Sequence, residues 1–116
     1  KTEMGSAEGP PDYRVWLRDG TMRTIECKNA SPKLYADGSP KVEVQKTRTS
    51  KNDPASRFYD PSAFDILAAC VYGSTGRWAF KFRRSRDLLP HEEHPGRIAP
   101  LQRVTAEWAD DLESVL

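Results

Sequence analysis

The sequence predicts one small domain of five β-strands followed by a single C-terminal helix. Three observations carry this reading. Apolar and polar residues alternate over residues 13–18 and again over 41–47, the two-residue period of a strand. Asp19-Gly20 sits between two strand-like runs, and glycine there supplies the positive φ of a tight hairpin. Thr105 stands where a helix N-cap would, ahead of acids in the first turns and of Trp108, Leu112 and Leu116 on one face. A chain of 116 residues fits a single domain over 1–116, and 37% apolar content supports one modest core.

The elements follow in order. The first eleven residues are small, polar and proline-containing and read as a lead-in. Tyr13, Val15 and Leu17 mark the first strand, and residues 22–29 return antiparallel to it. Pro, Gly and Asp-Gly-Ser make 30–40 a loop, and Val42 and Val44 mark the third strand. Residues 49–61 form a long polar loop. Residues 64–72, flanked by Pro61 and Gly73, are apolar and short enough for a buried strand. Gly73-Ser74-Thr75-Gly76 turns the chain into a fifth strand over 77–82. Three prolines make 83–104 irregular before the helix.

Net charge is only +1, but its distribution is polarised. Arg77, Lys81, Arg83, Arg84 and Arg86 cluster without an acid, whereas Glu107, Asp110, Asp111 and Glu113 cluster without a base. The basic stretch suits either phosphate contacts or a solubilising edge strand. No segment is long and apolar enough to span a bilayer, and no signal peptide is visible. Cys27 and Cys70 lie in apolar runs and read as reduced, buried thiols of a cytoplasmic protein. The chain does not begin with Met, which suits a fragment of a longer chain.

Chemistry is most concentrated in the first hairpin. Glu26 and Lys28 are two apart on one strand and therefore share a face, while Ile25 and Cys27 point the other way. Asp12 opens the partner strand, and pairing about Asp19-Gly20 sets it near Lys28, within a residue or two of register. Two carboxylates and an ammonium on one rigid face suit phosphodiester hydrolysis. Asp12, Glu26 and the Cys27 backbone carbonyl offer hard oxygen ligands for Mg²⁺, with Mn²⁺ a possible substitute. Lys28 either orients or deprotonates the attacking water, or stabilises the developing charge. Two neighbouring carboxylates hold a lysine in its ammonium form, which favours orientation and charge stabilisation.

Pro11-Asp12, thirteen intervening residues and Glu26-Cys27-Lys28 together resemble the signature of the PD-(D/E)xK nucleases. Val44-Gln45-Lys46-Thr47-Arg48, then Arg57-Phe58-Tyr59 and Phe64-Asp65-Ile66-Leu67-Ala68, resemble the later elements of that superfamily, so the likeness spans roughly Pro11 to Arg86. It implies an α/β restriction-endonuclease-like core, a mixed sheet of about five strands with flanking helices, and Mg²⁺-dependent cleavage of DNA. The family's first helix, with its acid, is missing or truncated here, for only eleven residues precede Asp12; Glu3 or Glu8 are what remain as candidates. A restriction or genome-defence context, a homodimer and an additional recognition domain are implied by resemblance alone. A non-catalytic DNA-binding or assembly module and a repair or junction-resolving nuclease are the alternatives.

Gln45 joins the catalytic candidates as a residue that orients water or contacts phosphate. Lys46, Arg48, Arg77, Lys81, Arg83, Arg84 and Arg86 are the DNA-binding candidates. Asp65 in an apolar run is expected to be buried and to need a partner, Arg57 or Lys46, in a structural role. His91 and His94 lack a metal-site spacing and lie between prolines, as loop residues do. Trp16, Trp78 and Trp108 read as core rather than as base-stacking platforms.

Overall fold

A computed structural model of the chain describes residues 2–4, 11–45 and 58–116, with only the backbone described for 2–4 and for Ser74. Lys46, Arg48, Arg57 and Glu8 therefore lie outside the described residues. Seven strands are described: β1 Thr2–Met4, β2 Tyr13–Trp16, β3 Met22–Asn29, β4 Lys41–Glu43, β5 Ile66–Cys70, β6 Phe80–Arg84 and β7 Leu101–Arg103. Five of them form one mixed sheet in the order β1-β2-β3-β5-β6, and β4 pairs with β7 in a second, two-stranded sheet.

The hairpin forms as its sequence requires. Gly20 takes φ 89, and the Asp19 carboxylate accepts from the Thr21 N–H at 2.9 Å. Tyr13 then pairs with Ile25 and Trp16 with Met22. β5 lies parallel to β3, with Glu26 beside Leu67 and Lys28 beside Ala69, and β6 returns antiparallel to β5. All five residues of β5 are buried, because this central strand is covered on both faces. Ile25, Ile66 and Ala68 pack with Tyr13, Val15, Cys27 and Phe82 on one face. On the other, Leu67 and Ala69 meet Val42, Val44, Phe64, Val104 and Trp108, so the β4–β7 ribbon and its flanking loops serve as the second layer.

The expectation of an α/β domain with flanking helices is wrong. Strand dominates, and among the described residues the helical pieces are α1, Tyr72–Thr75, and two 3₁₀ turns, Ser85–Asp87 and Glu113–Val115. The parallel β3–β5 pair needs a crossover, usually made by a helix; here the described part of the crossover contains β4 instead. The predicted helix after Thr105 is absent for a specific reason. Phe82 and Ala109 exchange both backbone hydrogen bonds at 2.8 Å, so this segment spends its amides on the edge of β6 rather than within a helix. Thr105 still opens a turn, accepting from the Trp108 N–H at 3.1 Å through its carbonyl, and Trp108 drops into the core. Before Asp12 the described element is a strand, β1, which sets Glu3 beside Arg14.

Three smaller expectations also change. Asp65 is exposed; its carboxylate accepts from the Thr24 N–H at 2.8 Å and ties the start of β5 to β3, which removes the need for a buried cation. Trp78 is 77% exposed and stacks on Tyr72 at 4.2 Å, whereas Trp108 is buried. The turn at 73–76 is the short helix α1, closed by Gly76 in the left-handed region. Cys27 and Cys70 are free thiols. No helix among the described residues is long and apolar enough to cross a membrane.

Gln102 holds the second layer together. It is 2% exposed, accepts from the Leu89 N–H at 2.9 Å, and donates to the Leu89 and Ala99 carbonyls at 3.0 and 2.9 Å. Gln102→Ala strands a buried amide and opens a cavity, so urea unfolding should show a loss of about 2–3 kcal/mol. Gln102→Leu should restore little, because the volume returns but the hydrogen bonds do not.

Candidate active site

The site is built on β3, at Glu26 and Lys28. Strand alternation turns Glu26 and Lys28 to the face of Leu67 and Ala69, opposite to Ile25. Continuing the β2–β3 register one residue beyond Tyr13–Ile25 sets Asp12 beside Glu26 rather than beside Lys28, two residues from the pairing the sequence suggests. Asp12 is just outside β2, and its Oδ2 accepts from the Cys27 N–H at 2.9 Å. That bond fixes the Asp12 carboxylate over β3 without a full backbone ladder.

Glu26 is only 9% exposed. Its carboxyl is pushed up to about 7, first by burial and then by the hydrogen-bonded Asp12 carboxylate beside it; the Lys28 ammonium and the Tyr59 hydroxyl pull it back down. The Asp12 carboxylate is thus held close enough to oppose the ionisation of Glu26. The Cys27 thiol, turned to the other face, is pushed up to about 11 by burial, so it is no nucleophile here.

Lys28 Nζ donates to the Gln45 carbonyl at 3.3 Å and lies 5.6 Å from the centre of the Tyr59 ring. Gln45 therefore serves the site through its backbone, and an isolated bridge to Phe58 fixes that backbone. Tyr59 is the site residue that sequence reasoning missed. Its hydroxyl donates to Glu26 Oε2 at 3.2 Å and its ring packs edge-on to Phe64 at 5.2 Å, which anchors it to the core. Burial and the Glu26 carboxylate hold its phenol well above the usual range. Arg57-Phe58-Tyr59 was visible as a motif, but nothing in it distinguished the tyrosine from a core aromatic.

Tyr59→Phe removes a donor that favours the ionised form of Glu26. The Glu26 carboxyl should then titrate at a higher pH than in the parent, which a ¹³C-detected NMR titration of the side-chain carboxyl measures directly.

The other candidates divide. Lys81 forms an ion pair with Asp110, and Arg83 donates to the Glu107 carboxylate and carbonyl at 3.3 and 3.2 Å. Two pairs, Lys81–Asp110 and Arg83–Glu107, thus join the basic and acidic clusters of the sequence across β6. Arg84 Nε donates to the Val115 carbonyl at 3.1 Å, and Arg77 and Arg86 are exposed. His91 and His94 form a loop cluster against Phe58, with ring centroids 4.3 and 5.3 Å from it.

The described donors are two carboxylates, which would suit only a hard cation that keeps most of its water. Asp12 and Glu26 offer carboxylate oxygens whose mutual repulsion a cation would relieve, and Mg²⁺ commonly takes one or two carboxylates and completes its shell with carbonyls and water. No group of three His, Cys, Asp or Glu side chains able to hold a metal ion occurs among the described residues. No protein-family model, curated protein or solved structure matches the chain.

Proposed function

We propose that the chain is a Mg²⁺-dependent DNA endonuclease that hydrolyses phosphodiester bonds, in a cytoplasmic restriction or genome-defence setting. The observation that carries this reading is the convergence of Asp12, Glu26 and Lys28 on one sheet face, with Glu26 pushed up to about 7. Structural ion pairs normally lower a carboxyl; one raised by burial and, next, by a second carboxylate beside it is a group that a bound cation would relieve.

In the reading, Asp12 and Glu26 would hold Mg²⁺, with the Cys27 carbonyl as a further donor. The cation supplies charge neutralisation at the phosphate and a more acidic water. Lys28 keeps its ammonium beside Glu26 through the Gln45 carbonyl and faces the charge that grows on the phosphoryl oxygens. Tyr59 fixes the Glu26 carboxylate so that one oxygen stays turned to the reacting centre. Hydrolysis forms one P–O bond from water and breaks the P–O bond to the leaving strand, whose alkoxide takes up a proton.

Supercoiled plasmid with Mg²⁺ tests the reading. The parent should nick or linearise it, EDTA should stop the reaction, and Asp12→Ala should slow it by at least about a hundredfold. Cleavage that persists in EDTA, or an Asp12→Ala protein as active as the parent, sinks the proposal.

A further inference from the structure

Among the described residues Trp78 is the most exposed large apolar side chain, at 77%. It is nevertheless held in place. Its ring lies on the Tyr72 ring, with 4.2 Å between centroids and 16° between planes. The turn that carries both rings is closed by its own hydrogen bonds. The Val71 N–H donates to the Ala79 carbonyl at 3.0 Å, the Gly76 N–H to the Tyr72 carbonyl at 2.8 Å, and the Thr75 hydroxyl to the Val71 carbonyl at 2.9 Å. Thr75 Oγ1 accepts in turn from the Arg77 N–H at 3.2 Å. Gly73 lets this turn settle against the end of β3, since a Cβ there would stand 3.0 Å from the Ala30 carbonyl oxygen. A ring that is already ordered loses little freedom when a ligand stacks on it.

We propose that the Tyr72–Trp78 pair is a stacking platform for an unpaired base of a DNA strand, with Arg77 as the contact to the neighbouring phosphate. Tyr72 covers one face of the indole, and an exposure of 77% leaves the other face to solvent. Size selects among occupants. Even with Tyr72 at 43% and Phe80 at 45% exposed, the aromatic surface at this end of β6 comes to roughly 300–400 Å². A stable dimer takes roughly 800 Å² from each partner. The patch is therefore too small for a second copy of the chain and large enough for a flat ring.

Charge points to the same occupant. Arg77 is exposed and, among the described residues, belongs to no ion pair. Asp110, which the bridge between Phe82 and Ala109 brings to β6, is engaged by Lys81. A free cation beside an open π face favours a strand with an anionic backbone over an uncharged ring or an apolar peptide. The base must be unpaired, because bases within a duplex already stack on one another. The last residues of the chain take no part: the Val115 carbonyl meets Arg84 at the opposite end of β6, roughly 13 Å from Phe80.

The platform does not depend on the roles given to Asp12, Glu26 and Lys28, and its test runs in EDTA, where cleavage does not enter. A short fluorescein-labelled oligothymidylate should bind the parent saturably by fluorescence anisotropy at low salt. Trp78→Ala should weaken that binding about tenfold or more, the range for losing one base–aromatic stack, while Trp78→Phe should keep most of it. Trp78 is exposed, so its replacement leaves the core untouched. Arg77→Gln should lower the salt slope by about 0.7, the share of one phosphate contact on a single strand. A strand of the same length built from abasic sites keeps the phosphates and lacks the rings, so it should bind the parent about as weakly as oligothymidylate binds the Trp78→Ala protein. No saturable binding by the parent, an unchanged affinity in Trp78→Ala, or an abasic strand that binds as well as oligothymidylate overturns the proposal. A dimer in sedimentation velocity that Trp78→Ala abolishes assigns the patch to a second copy of the chain and overturns it as well.

Discussion

Glu26→Gln is expected to lower Mg²⁺-dependent cleavage by about a thousandfold and, in metal-free buffer above pH 7, to make the protein more stable. The loss of activity corresponds to about 4 kcal/mol of transition-state stabilisation and follows from removing one of two carboxylates that hold the cation. The gain in stability follows from the raised carboxyl. Glu26 in the folded protein titrates at about 7, against 4.5 when unperturbed. Between these values the folded chain keeps a proton that the unfolded chain has released. Its contribution to stability is therefore fully present below about 4.5 and is lost as pH rises through about 7. The whole gap corresponds to about 3 kcal/mol, and relaxation of the charged side chain toward water reduces the expected effect to about 2 kcal/mol. Glutamine keeps the shape, carries no charge and still accepts from the Tyr59 hydroxyl. Urea denaturation in EDTA should give parent and variant nearly equal stability at pH 4.5 and a clear advantage for the variant at pH 8.5. A Glu26→Gln protein that is weaker than the parent at pH 8.5 would falsify the opposed-carboxylate geometry from which the site is argued.

The hairpin and the buried strand were legible in the sequence because local chemistry decides them. Asp19-Gly20 admits one kind of turn, and the alternation on either side leaves one face for Ile25 and the other for Glu26 and Lys28. Asp12 could be placed near Glu26 and Lys28 by counting along the ribbon, since the turn fixes the register to within two residues. The helices failed because they depended on non-local competition. Residues after Thr105 carry helical spacing, but the unpaired edge of β6 offers backbone partners at Phe82, and a paired edge with Trp108 buried outweighs a short exposed helix. Tyr59 and Gln102 were illegible for the same reason. Each acts through contacts more than ten residues away along the chain, with Glu26 and Leu89 respectively, and neither sits in a pattern that marks it. The basic run from Arg77 to Arg86 is one cluster along the sequence, but a strand sends alternate residues to opposite faces, and among the described residues Lys81 and Arg83 pair with the acidic C-terminal segment.

Lys28→Met isolates the ammonium, because methionine keeps most of the aliphatic stem that packs beside Tyr59 and removes only the charge. Two effects are expected together. The rate of the chemical step should fall by about a hundredfold to a thousandfold, the range for losing one charged group aimed at a developing oxyanion. Glu26 should titrate above its parent value of about 7, because Lys28 is one of the two groups that hold it down. A carboxyl that ionises less readily binds a cation less well, so the Mg²⁺ concentration for half-maximal cleavage should rise at neutral pH and return toward the parent value at higher pH. DNA affinity in Ca²⁺ or EDTA should change little, with a salt slope altered by about one at most, since a single cation is lost. Lys28→Arg separates charge from shape: its planar fork keeps Glu26 near the parent value but does not reproduce a compact ammonium held on the Gln45 carbonyl, so the chemical step should stay impaired. A Lys28→Met protein that cleaves at the parent rate removes the amine from the reaction. The pair Asp12 and Glu26 would then be a cation site with no group of this face left to meet the charge on the phosphate.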